Sequence, residues 1–585
     1  MTTPAISPTI PRPVVDRRIR RQRVRQRLGR DEILRRALFV LMGVWLYLFL
    51  IYPLFRLLIR SLQNKEGAFV GLDNYAAYFS SATTSASLRH SLNISILSMV
   101  ITVSLAFLYA YGLTRMTLPA KRFFRIVAML PIFVPSLVQA LAFIYMFGNN
   151  GLFTRIFGLN IGLYGPVGIV MSEVFYAFPH ALIILMTALA LADARLYEAA
   201  ESLGASGLRI FFTVTLPAIK YGLMSAAFVV FTLAITDFGA PKVVGGNYDV
   251  LATDIYNKVI GQQNFEMGAT ISTLLLIPAM IAFILDRLVQ RRQVAQITAE
   301  VKPLAPRKYH PLVQGTVLTF CILIVLFILS IYGIVIVGAF TKYWPYDLSL
   351  TLKNFKTFYV AGAQHKSGAL HVLGNSIQMA TGTAIFGTAI VFISAYLIEK
   401  GRRLRWVRSV LYLLSIMPLS IPGMVLGLAY VFTFNDPSSP LNRLYGTMAI
   451  LVISTIFHYY TVPFLTATTA LKQLDPEFEA IGESLNVPFY RTFWRVTVPM
   501  TLPAIISIAM YFFLNAMVTL SAIVFLFVPG RELASLAVML LDDAGESAQA
   551  MAMSLLILVT GLAARGVFYL LTRGVERRTQ AWTQG

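Results

Sequence analysis

The chain has 585 residues, of which 57% are hydrophobic and 13% charged, with a net charge of +22 and a mean hydropathy of +0.70. A soluble domain carries about 25% charged residues, so this chain lacks the polar surface to face water on all sides. Its single cysteine, Cys321, excludes an intrachain disulfide and a cysteine metal cluster.

The chain opens on a basic arm, residues 1–36, whose densest block is Arg17-Arg18-Ile19-Arg20-Arg21-Gln22-Arg23. Such an arm could bind RNA or anionic lipid. With the N-terminus inside, the basic residues concentrate on inner loops, as the positive-inside rule requires. We therefore read the arm as a topology determinant resting on lipid headgroups, and expect membrane lipid and no nucleic acid as partner.

Apolar runs of about 20 residues, long enough to cross a bilayer, then follow one another. In the first half they are about Ala37–Phe55, Asn93–Leu113, Phe124–Phe147, Val167–Leu191, Ala218–Thr236 and Met267–Val289. In the second half they are about Gly315–Phe340, Asn375–Ile398, Val407–Phe432, Met448–Leu471, Leu502–Val528 and Ala548–Leu571. The first run exceeds a signal-peptide core and lacks a nearby small-residue cleavage site, so it reads as a retained span. The expected fold is an all-α polytopic membrane protein of about twelve transmembrane helices.

Polar landmarks recur at one shift. Glu201 and Glu483, Pro217 and Pro499, and Asn93 and Asn375 each stand 282 positions apart. Leu130-Pro131-Ile132-Phe133-Val134-Pro135 is echoed by Met417-Pro418-Leu419-Ser420-Ile421-Pro422 at 287, through a longer inner loop. Six spans per half preserve orientation, which predicts two parallel six-helix repeats about an axis along the membrane normal. The expected layout is 1–36 arm, 37–289 first domain, 290–314 linker, 315–572 second domain and 573–585 tail, with both termini cytoplasmic. The linker's Lys302-Pro303-Leu304-Ala305-Pro306-Arg307-Lys308 is basic and proline-bearing, as a fusion joint should be.

Between the fourth and fifth spans lies a polar helix-forming insert, Glu198-Ala199-Ala200-Glu201-Ser202-Leu203-Gly204, followed by Val214 and Leu216-Pro217. This pattern resembles the cytoplasmic loop of ABC-importer permeases, and the likeness covers nearly all the chain after the arm. The resemblance implies a channel subunit of the bacterial inner membrane, fed by an extracytoplasmic substrate-binding protein. It also implies docking on two copies of an ABC ATPase subunit, which would use the ATP. Glu198, Ala199, Ala200, Gly204, Leu216 and Pro217 would then couple to the ATPase, with Glu483, Asn486 and Pro499 in the second copy. Small Ala199 and Ala200 admit a close partner surface, and Gly204 permits a turn. The second copy departs from the pattern: Ala480-Ile481-Gly482 replaces the Glu-Ala-Ala triplet and Asn486 the glycine. Asparagine tolerates positive φ, so the turn should survive, whereas equal coupling of the two halves is not expected.

The chain contains no Gly-x-x-x-x-Gly-Lys-[Ser/Thr] phosphate cradle, His-Glu-x-x-His or paired-cysteine site. Neither enzymatic activity nor a cofactor of its own is expected. His180 and His458 stand alone in spans and read as packing residues. Ionisable groups at membrane depth are costly and usually face a cavity or partner. Glu173 and Asp237 are therefore candidates for the substrate path, with Thr519 and Ser521 at the repeat-related place. Alternatively, Glu173 could sit near the outer interface and Asp237 could cap the following loop.

For substrate, the fused arrangement resembles the iron(III), phosphonate and related permease group. Three stretches look most like its 2-aminoethylphosphonate branch: Thr236 to Gly246, Ile260 to Phe265 and Leu541 to Glu546. Iron(III) or another oxyanion-type cargo is the alternative. An ion-coupled secondary transporter shares the parallel architecture but needs a midplane coupling network. A membrane scaffold would leave the repeated insert unexplained.

Overall fold

The structure, a computed structural model, describes residues 30–296, 304–307, 309–356, 368–401, 404–475 and 477–580. The basic block at 17–23, Lys302, Pro303, Lys308 and Pro476 lie outside them. Among the described residues, eight helices are long and apolar enough to cross a membrane, or twelve when each of four bent pairs counts as one span. The chain is an all-α polytopic membrane protein; a short hairpin pairs Thr341–Tyr343 with Asp347–Leu350.

The bent pairs follow from proline. The third span is Lys121–Phe133 plus Ser136–Phe157, bent by 106°, and the ninth is Arg405–Ser420 plus Gly423–Phe434, bent by 112°. Val134 and Ile421, each just before a proline, are extended, because the next pyrrolidine ring disfavours helix there. The tenth span bends by 60° between His458 and Thr461, and the eleventh by 78° between Met500 and Leu502.

The eleventh span differs from its expected course to Val528. Its helix ends at Val518, Thr519 is extended, and the following buried turns are tied down by Ser454 Oγ donating to the Ala522 carbonyl at 2.8 Å. The fifth span ends in the same way at Thr236, followed by extended Asp237. Apolar composition continues past Val518, so hydropathy alone could not mark this end.

The first span of each half packs on the opposite half. In the first span, Arg30–Ser61, the Phe49 carbonyl accepts from Tyr430 Oη at 2.7 Å, and Phe49 stacks on Phe434 at 5.8 Å. In the seventh, Pro311–Phe340, Phe327 meets Phe143 and Phe175 with ring centroids 6.0 Å apart. Trp344, beyond its end, stacks on Tyr145 at 5.0 Å. The exchange interlocks the two repeats through buried aromatic surface.

The proline breaks meet the ends of the fifth and eleventh spans through a swapped pair of small residues. Ser136 faces Gly239 in the first half, and Gly423 faces Ser521 in the second. A Cβ on either glycine would lie closer than 3.0 Å to the partner serine Oγ. Gly423→Ala is expected to cost about 1–3 kcal/mol of stability by overpacking. Adding Ser521→Gly should recover much of that loss, as read by thermal unfolding of the solubilised protein.

Candidate functional site

Two features concentrate polar groups in this fold: a cavity between the halves and the paired loops at one membrane face.

The cavity encloses about 430 Å³ and is walled by both proline breaks and by the ends of the fifth and eleventh spans. Asp237, Thr519 and Ser521 line it, together with Tyr176, Tyr459 and Tyr511. The Asp237 carboxylate accepts from Ser136 Oγ at 2.7 Å and from the Ala240 amide at 2.9 Å. It therefore both caps the helix Gly239–Val244 and faces the cavity. Glu173 stands in the fourth span, Pro166–Ala190, and is fully buried. It does not line the cavity, but lies behind Asp237 as its electrostatic neighbour. The two carboxyl groups are within hydrogen-bonding reach of each other, so a proton on one can be shared with the other.

His180 and His458 also line the cavity. His180 Nδ1 lies 3.3 Å from the Tyr176 carbonyl, and His458 packs edge-on against Tyr459 at 4.5 Å. Among the described residues no three His, Cys, Asp or Glu side chains form a group that could hold a metal ion. Sequence reasoning missed Asp286 and Arg287, which line the cavity from the sixth span. Asp286 accepts from Ser225 Oγ at 2.7 Å and Gln290 Nε2 at 2.8 Å. Adjacent opposite charges inside a predicted span were the available signal.

Two of the stretches singled out for substrate resemblance touch each other. Lys242, in the first, forms a 3.1 Å ion pair with Asp543, in the third, and lies 5.1 Å over the Tyr256 ring. Burial pushes the neighbouring Asp542 carboxyl up to about 6; Asp543 adds to the rise, while Lys242 opposes it.

The paired loops have one backbone design. Asp193 and Asp475, again 282 apart, cap their helices by accepting from the Arg195 amide at 3.0 Å and the Glu477 amide at 2.9 Å. Glu198, Ala199 and Ala200 lie on the helix Ala194–Ser202, and Glu483 on Glu477–Ser484. Gly204 has φ +71° and Asn486 φ +51°. The Ala205 amide reaches back to the Ala200 carbonyl at 3.0 Å, and Val487 to Gly482 at 2.8 Å, so both helices end in the same left-handed cap. Wide π-type turns follow at Phe211–Thr215 and Phe493–Thr497, leading to Leu216-Pro217 and Val498-Pro499.

The braces differ. Arg115 lies 5.2 Å over the Tyr197 ring, Tyr197 Oη donates to Thr215 Oγ1 at 3.1 Å, and Glu201 pairs with linker residue Arg307. In the second loop Lys400 pairs with Glu479 at 3.3 Å, and Asp31 accepts from the Phe489 amide at 2.9 Å. Each loop presents an apolar side chain at the related place, Leu203 at 87% exposure and Leu485 at 69%.

A family model described as "Binding-protein-dependent transport system inner membrane component" matches residues 102–295 and 392–579. The ferric transport system permease protein FbpB of Actinobacillus pleuropneumoniae is 28% identical over 451 residues, 75% of this chain and 64% of the relative. The putative ferric transport system permease protein FbpB 1 of Haemophilus influenzae is 28% identical over 414 residues, 69% of this chain and 64% of the relative. This chain thus spans 64% of the length of both. The molybdenum transport system permease protein ModB of H. influenzae is 27% identical over 210 residues, 34% of this chain but 91% of that relative.

The shared cap gives a test of the loop geometry. Gly204 has open space around it, so only backbone strain opposes a side chain there. Gly204→Val should lower stability by about 1–2 kcal/mol through the left-handed conformation. Asn486→Gly should cost nothing. Thermal unfolding of the two variants checks both outcomes.

Proposed function

This chain belongs to the binding-protein-dependent transport system inner membrane components, and we propose that it is the permease subunit of an ATP-driven importer, with two permease halves fused. The carrying observation is the duplicated loop: two capped helices with one turn geometry and one exposed leucine each, 282 residues apart. Each would receive one copy of a separate ATPase subunit at the cytoplasmic face, placing both termini inside. The partner would bind and hydrolyse ATP; this chain would hold no cofactor and catalyse no reaction. An extracytoplasmic binding protein would deliver cargo to the cavity bearing Asp237, Thr519 and Ser521, with Glu173 supporting Asp237 from behind. A short helix held between long spans is a suitable lever for turning ATPase closure into alternating access.

For cargo we favour 2-aminoethylphosphonate, on the three stretches named above, two of which meet at the Lys242–Asp543 pair. A second reading, ferric ion, is supported by the two 28% identical relatives that carry a ferric name. Uptake of labelled phosphonate and labelled ferric ion in a deletion strain separates them. Loss of phosphonate uptake alone supports the first; loss of iron uptake alone overturns it and leaves the importer reading standing.

Gly204→Trp should reach the membrane at normal level, keep ATPase activity in the assembled complex and lose uptake. Normal uptake by that variant would sink the coupling role. Lesions between Glu198 and Gly204 should also harm uptake more than matched lesions between Ala480 and Asn486, because the second copy lacks the Glu-Ala-Ala triplet. Equal losses would count against the asymmetry.

A further inference from the structure

The eleventh span breaks where the fifth does not. Gly207–Thr236 runs as one helical span, whereas Phe489–Met500 and Leu502–Val518 meet at 78°. The second half has Pro503 where the first has Tyr221, and Pro503 lacks the amide that would continue the helix through Thr501. The bend leaves a groove of about 620 Å³ between the eighth, eleventh and twelfth spans. Phe392, Phe493, Ala509, Phe513 and Phe568 line it, with Trp494 at its edge. Its other polar side chains are the threonines Thr381 and Thr388. A water needs two to four polar partners, so this groove does not hold a chain of waters.

We propose that the groove binds one acyl chain of an anionic phospholipid from the inner leaflet, with the headgroup on an arginine rim. Two observations select that occupant. The groove is continuous with lipid-facing surface, since Ile385, Phe386 and Val567 beside it are each more than half exposed on apolar spans. Exposed arginines neighbour lining residues along the chain: Arg491 and Arg495 stand beside Phe493 and Trp494, and Arg573 follows Phe568 on the twelfth span. An amphipathic indole at the groove mouth suits the headgroup level, and arginines there attract anionic lipid. The inner-leaflet assignment rests on the proposed cytoplasmic position of the paired loops. The bound chain would fill the inside of the bend directly beneath the second loop.

The test is native mass spectrometry of the full chain, purified from vesicles of phosphatidylglycerol or of phosphatidylcholine. The wild type should keep one phosphatidylglycerol through delipidation steps that strip phosphatidylcholine. Ala389→Trp fills the groove from an exposed lining position and should abolish that retention. Arg491→Gln with Arg495→Gln acts only at the rim and should weaken it, which keeps the test open if Ala389→Trp does not fold. Equal retention of both lipids, or undiminished phosphatidylglycerol in either variant, would overturn the site. The readout is bound lipid, so it stands apart from transport. Labelling Gly204→Cys from the cytoplasmic side checks the orientation separately.

Discussion

A backbone amide or carbonyl at membrane depth must be satisfied by protein, because lipid offers it no partner. Both proline breaks create such a debt, and the two halves settle it differently. In the third span Gln139 Nε2 donates to the Pro131 and Val134 carbonyls at 2.8 and 3.1 Å. In the ninth, Thr461 Oγ1 bridges the Ser415 and Ile416 carbonyls at 3.3 and 3.2 Å and lies 3.1 Å from the Leu419 amide. Neither arrangement survives facing lipid, so the broken helices must turn inward, and the exchanged first spans close around them. The central cavity is a consequence of that requirement.

The paired loops obey a different constraint, a fixed direction of entry into the next span. Capping aspartates start each helix and a left-handed residue ends it, which sets the direction of the chain into the next span. Besides Arg115 and Lys400, which brace the loop of their own half, supports reach in from elsewhere in the chain: Arg307 from the linker for the first loop, Asp31 from the first span for the second. Duplication preserved the turn while the fused chain supplied new supports.

Span number, the repeat, both proline motifs and the Asn486 turn were legible in the sequence because each is local or recurs at one shift. Asn486 could be anticipated because few other residues tolerate φ near +51°. The early end of the eleventh span was not legible: residues 522–526 are apolar and buried, and only Ser454, from another span, shows why they are not helical. The Ser136–Gly239 and Gly423–Ser521 swap was equally hidden, since its sense depends on contacts between distant segments. Asp286 and Arg287 were visible as charges in a span, but their place in the cavity required the packing.

The repeat also explains why the cavity has two unlike walls. Equivalent backbone positions carry Asp237 and Thr519, and Glu173 has Thr455 as its counterpart. Thr455 spends its hydroxyl on the Leu451 carbonyl at 2.7 Å, as buried threonines in helices commonly do, and so stays neutral and self-contained. Carboxyl groups therefore remain on one side of a two-fold frame. Backbone symmetry maintains the opening between the halves, and side-chain asymmetry gives it a polarity: a small polar molecule entering it meets acid on one wall and hydroxyl on the other. A homodimer of either half would double or delete the acids. Fusion of two diverged halves is what allows a single acidic wall within a symmetric cavity.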